Sequence, residues 1–172
     1  MVIGLYYFIS QNSGSIDNIN VTEKDAMVKL ALSNNNFKGY LNLSYNVTTV
    51  NPAQGYVLFD VGNNTMYWES VMVGVDMATN TTDYVYMTDL HPKNPDEYAK
   101  MIKIALQDGR VKGYTDNNSY DVGYVNITEG QVLFDIGPRT NKPGAVVTTV
   151  DQNKKIVTSF VYYPRTPLPP GL

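Results

Sequence analysis

Two periodicities alternate along this chain. Tyr98, Met101, Ile102, Ala105 and Leu106 recur at i, i+3, i+4, i+7 and i+8, an apolar stripe on one face of a helix, and Met27, Val28, Ala31 and Leu32 repeat the stripe earlier in the chain. After each stripe the period falls to two. Leu41, Leu43, Tyr45 and Val47 alternate with Asn42, Ser44 and Asn46, the pattern of a strand with one buried and one wet face. Further strands are predicted near residues 56–61, 67–76 and 82–87, echoed near 132–136, 145–151 and 156–163. Short polar connections such as GNNT and DQNKK suit hairpins, so the strands are expected to pair antiparallel.

The echo is an internal repeat. KLAL at Lys29 aligns with KIAL at Lys103, and FKGY at Phe37 with VKGY at Val111, at an offset of 74. One insertion moves the offset to 75, at which VLFDVG from Val57 aligns with VLFDIG from Val132, and Val75-Asp76 with Val150-Asp151. Matches kept in order over a whole module indicate duplication. The expected fold is α+β: two tandem modules, each one helix on a four-stranded antiparallel sheet. The expected boundaries are an apolar segment with polar spacer (1–19), module one (20–89), a linker (90–94), module two (95–163) and a Pro-rich tail (164–172). Modules of about 70 residues are near the lower limit for an independent core, so the two are expected to lean on each other. The second helix is expected to open with Asn94 as N-cap, Pro95 in the first turn and Glu97 closing a capping box.

The segments KIALQDGRVKGY and AVVTTVDQNKKIVTSFVYY, with KLALSNNNFKGY and YWESVMVGVDMATNTTDYVYM in the first copy, resemble the PepSY and cystatin-like family of exported modules. The resemblance implies cystatin-like modules that act outside the cytoplasm in non-catalytic binding or in regulating peptidases.

Composition narrows the chemistry. The chain has 172 residues, a formal net charge of −3 and no cysteine. That charge lacks the basic footprint of a nucleic-acid binder, and thiolate nucleophiles, thiolate metal sites and disulfides are excluded. The single histidine, His91, lies in the linker without a second imidazole beside it in sequence. Walker, GxGxxG, GxSxG and EF-hand patterns are absent, and no cofactor is expected. Asp60 and Asp135 recur at equivalent strand ends, as do Asp76 and Asp151. Carboxylates gathered at one sheet edge can hold calcium or act as an acid/base pair; Asp before Gly is equally a turn former. Tyr40, Tyr114 and Trp68, the last peculiar to the first copy, are candidates for a binding surface, with core packing as the alternative.

Seven Asn-x-Ser/Thr sequons begin at Asn20, Asn42, Asn46, Asn63, Asn80, Asn117 and Asn126, against about two or three by chance. They point to an exported, glycosylated chain. The apolar run from Val2 to Ile9 is too short to span a bilayer and reads either as the end of a membrane anchor or as a first strand. The functional expectation is a non-enzymatic, cell-surface binding module with a protein or peptide partner, in contact with membrane only through an N-terminal anchor. The alternatives are a subunit of a surface layer, pilus or virion that self-associates through sheet edges, and an enzyme with a site in a sheet concavity. Export has a direct test: protein from the native host should exceed the unmodified 19.2 kDa by a heterogeneous glycan mass. The bare mass would remove the argument for a surface location.

Overall fold

A computed structural model describes residues 21–38, 45–61, 70–88, 92–137, 140 and 142–166. The first half contains helices α1 (Val21–Ser33) and α2 (Asn35–Lys38) followed by strands β1 (Asn46–Asn51), β2 (Tyr56–Asp60), β3 (Ser70–Asp76) and β4 (Thr81–Thr88). The second half repeats the order with α3 (Pro95–Gln107), α4 (Gly109–Thr115), β5 (Tyr120–Asn126), β6 (Gln131–Ile136), β7 (Gly144–Asp151) and β8 (Ile156–Pro164). The strands of both halves form one mixed sheet in the order β1 to β8. Neighbours are antiparallel except at the seam, where β4 and β5 run parallel with Tyr86 opposite Val122.

This overturns the expectation of two tandem helix-on-sheet, cystatin-like modules. The physical reason lies in the back of the first half. Along β2, β3 and β4, Val57, Phe59, Val71, Val73 and Val85 face α1 and pack on Met27, Val28 and Ala31. The alternate residues Tyr56, Leu58, Met72, Tyr84 and Tyr86 point the other way and are at most 6% exposed. They join the core of α3 and the second half. Burial of five such side chains is worth about 7–15 kcal/mol at about 1.5–3 each, comparable to the entire net stability of a domain. The first half therefore cannot stand as a module with that face in water. Strands apolar on both faces, YVLF, VMVGV and YVYM, mark a sheet covered on both sides.

A parallel seam between two antiparallel halves turns the second half over, so α1 and α3 lie on opposite faces of the sheet. α3 packs its own half through Val132, Phe134, Ile136 and Val146, and also lies against the back of the first half. Tyr98 of α3 stacks on Tyr86 with ring centroids 6.0 Å apart. Asp96 in its first turn accepts hydrogen bonds from the Tyr56 hydroxyl at 2.7 Å and from Asn51 Nδ2 at 2.8 Å. Burial, reinforced by this carboxylate, pushes the Tyr56 phenol well above its ordinary pKa, so it stays a donor at any physiological pH.

Local chemistry departs from expectation at the start of α3. Pro95 is in the first turn, but the Asn94 side chain makes no capping bond, and the Glu97 amide donates to the Asn94 backbone carbonyl at 3.1 Å. The equivalent residues Gly55 and Gly130 sit at φ +61° and +67°. Their carbonyls accept from the Val75 and Val150 amides, and a Cβ at either would come within 2.8 Å of those residues' carbonyl oxygens. Only glycine fits both demands.

Two outcomes are expected. Ile102→Ala, in a fully buried position on α3, should lower the unfolding free energy by about 2–5 kcal/mol in one transition that reports both halves. Residues 21–88 alone should show no cooperative urea transition by circular dichroism, and a sharp one would contradict the shared core.

Candidate functional site

The sequence-derived carboxylates are not brought together. Asp76 closes the β3–β4 turn, accepting from the Ala78 and Thr79 amides at 2.8 and 3.3 Å. Asp151 does the same at the β7–β8 turn with the Asn153 and Lys154 amides, both at 3.0 Å. Hydrogen bonds to Thr79 and to the Lys154 amide lead the causes that hold these carboxyls below the ordinary aspartate range. Asp60 and Asp76 each close their strand, and because β2 and β3 run antiparallel the two lie at opposite ends of the sheet. Asp135 pairs with Arg165 at 2.7 Å. Asp76 and Asp135, three strands apart, are separated by at least about 14 Å at about 4.8 Å per strand. Among the described residues no group of three or more metal-binding side chains occurs.

Tyr114, on α4, packs against β8, its ring centroid 4.4 Å from Tyr162 and 5.7 Å from Phe160, with Lys142 Nζ 4.9 Å from its own ring centre. Tyr40, Trp68, His91, Asn20, Asn42, Asn63 and the apolar N-terminal run lie outside the described residues. Of the other sequons, Asn46, Asn80 and Asn117 are exposed, while Asn126 is half-buried and accepts from the Glu129 amide at 3.1 Å. Among the described residues no helix is long and apolar enough to cross a membrane.

Two surface features emerge instead. The first is a cleft of about 460 Å³ at the turn end of the first half, lined by Glu23, Asp76, Asp83, Lys103, Asp116 and Tyr120 among others. Asp83 and Tyr120 also line an adjoining groove, and the Tyr120 hydroxyl donates to the Asp83 carbonyl. Burial, then the charge of Asp76, raises the Asp83 carboxyl above its ordinary pKa, while Lys103 opposes both. Every buried side-chain nitrogen and oxygen among the described residues has a hydrogen-bond partner. No orphaned donor or acceptor is therefore aimed into the cleft.

The second feature is the outward face of the second half with the edge of β8. Tyr124, Leu133, Val147 and Val161 form one row across β5 to β8. It is the duplicate of the row Thr49, Leu58, Met72 and Tyr86 across β1 to β4. In the first half α3 covers the row; in the second half no described helix does. Tyr124 is 38% exposed, Val161 42% and Tyr163 56%. Among the described residues β8 pairs only with β7, and its nine residues, IVTSFVYYP, carry no charge. Sequence reasoning passed over this face, although FVYY, apolar at successive positions, was the available signal that both faces of β8 favour burial.

No family model matches the chain, and comparison with curated proteins and with solved structures likewise yields no match.

Asp83 supplies a pH test. Its carboxyl titrates higher in the folded than in the unfolded chain, so the folded state holds the extra proton between the ordinary value of 3.8 and the raised one. Stability from this group rises as pH falls through that window and is lost as pH climbs out of it. Asp83→Asn should therefore be more resistant to urea than the parent at pH 7, with the advantage shrinking towards pH 4. An advantage that grows on acidification would refute the assignment.

Proposed function

We propose that this chain is an exported, non-enzymatic protein-binding module that receives an extended polypeptide along β8 and the apolar face beside it. One observation carries the reading: the row Tyr124, Leu133, Val147 and Val161 faces outward, whereas its duplicate in the first half is roofed by a helix. A sheet edge offers alternating unpaired N–H and C=O groups, and soluble proteins usually blunt such edges with charge, proline or a covering element. On β8 only Pro164, at its end, serves that purpose. A strand added here gains main-chain hydrogen bonds, while alternate side chains rest on Val161 and Tyr163 and supply selectivity.

The surface location is supported by the exposure of Asn46, Asn80 and Asn117 and by the low share of charged residues, 17%. The non-enzymatic reading is supported by the engagement of Asp76 and Asp151 as turn caps and of Asp135 with Arg165.

The test is selection of peptides from a random display library on the purified chain, followed by hydrogen exchange. Selected peptides should protect amides of β8. Val161→Lys, at an exposed position, should weaken them about tenfold or more, equivalent to about 1.4 kcal/mol, without altering the far-ultraviolet spectrum. Ligands that instead protect the turn-end cleft and ignore Val161→Lys would sink this reading and favour chemistry in that cleft.

A further inference from the structure

We infer that the polypeptide received by β8 is a second copy of this chain, whose β1 adds parallel to β8 and whose α1 covers the exposed row. The inference rests on the binding reading above and names its partner.

The chain contains its own template for the junction. At the internal seam the last strand of one repeat, β4, pairs parallel with the first strand of the next, β5, with Tyr86 opposite Val122. The helix preceding β5, α3, then roofs the back of the repeat already in place. At the offset of 75 Tyr86 corresponds to Val161 and Val122 to Val47. Both partners are available in one molecule: among the described residues β8 pairs only with β7 and β1 only with β2. An incoming copy whose Val47 lies opposite Val161 reproduces the seam.

The faces agree as well as the edges. The parallel seam turns each repeat over relative to the one before, which places α1 of the incoming copy on the side of the row in which Tyr124 and Val161 are exposed and Leu133 and Val147 half-buried. The relation is head-to-tail and leaves a fresh β8 at the far end, so it propagates into an open chain of copies and does not close as a symmetric dimer.

The same comparison sets the strength. Within the chain Tyr98 stacks on Tyr86; between copies Lys24, exposed on α1, stands in the place of Tyr98 and Val161 in that of Tyr86. With the aromatic pair missing, the junction between copies is weaker than the internal one and assembly is reversible. Each copy carries a formal charge of −3, so salt, by screening like charges, should drive assembly forward.

Sedimentation velocity of the full chain against concentration and salt, combined with directed cross-linking, tests the inference. The chain has no cysteine, so a Val161→Cys chain mixed with a Val47→Cys chain gives an unambiguous disulfide readout. The expected result is a ladder of species extending beyond dimer, more advanced at high salt. Disulfides should form between the two variants much faster than within either alone, and Val161→Lys should abolish the ladder while leaving the circular dichroism spectrum intact. A chain that remains monomeric at millimolar concentration, or a dimer cross-linked mainly Val161→Cys to Val161→Cys, overturns it. If the chain is monomeric yet library peptides still protect β8, the partner is a different protein and only the present inference fails. If neither copies nor peptides engage β8, the binding reading fails with it.

Discussion

Helix α3 is apolar where it meets its own half and also where it meets the half before it, and the fold follows from that double burial. Its inner face holds Met101, Ile102 and Ala105 with no exposed surface. Around it close the strands of the second half and the back of the first, clamped by the Tyr98–Tyr86 stack and by Asp96 with Tyr56 and Asn51. A helix with one apolar stripe can roof one sheet; a helix clamped on two sides ties two sheets into one. The parallel β4–β5 seam is the backbone counterpart of the same arrangement, since a parallel pair needs a crossover connection and α3 lies in the one that joins β4 to β5.

The second consequence is an asymmetry between copies that began alike. Both halves have the same element order and strand registers that coincide at a constant offset, down to paired glycines at positive φ in Gly55 and Gly130. Yet among the described residues the first half has helices on both faces and the second on one. Residues have drifted accordingly: the back of the first half carries Tyr56, Met72, Tyr84 and Tyr86, and the same positions in the second carry Gln131, Val147, Ser159 and Val161. The second set is more polar, as a face without a roof requires, but it keeps Leu133, Val147 and Val161 in a row flanked by Tyr124 and Tyr163. That residue of apolar surface, next to an uncharged edge strand, is where the geometry concentrates the means of recognising another polypeptide.

The carboxylates show how duplication imitates a site. Asp76 and Asp151 recur because the turn after β3 and after β7 needs an acceptor for two amides, and each is already satisfied by its own turn. Recurrence in a repeat reports inherited local structure, and spatial convergence, which chemistry needs, does not follow from it.

What the sequence by itself determined was local: the two amphipathic helices, the duplication, and the strand segments other than β5 and β1, the latter running Asn46–Asn51 where alternation predicts Leu41–Val47, follow from periodicity and turn chemistry within a few residues. The runs YVLF, VMVGV and YVYM also recorded that the first half is buried on both faces, a signal that alternation-based reading of single modules overlooked. Only the tertiary structure decided how the halves meet, that α3 serves both, that the repeats alternate sides of one sheet, and which apolar row no described helix covers. Those outcomes depend on pairing residues far apart in the chain, Tyr86 with Val122 and Tyr56 with Asp96. A hydrophobic residue's pattern declares that it needs cover, whereas the element that supplies the cover is settled by the packing of the whole chain.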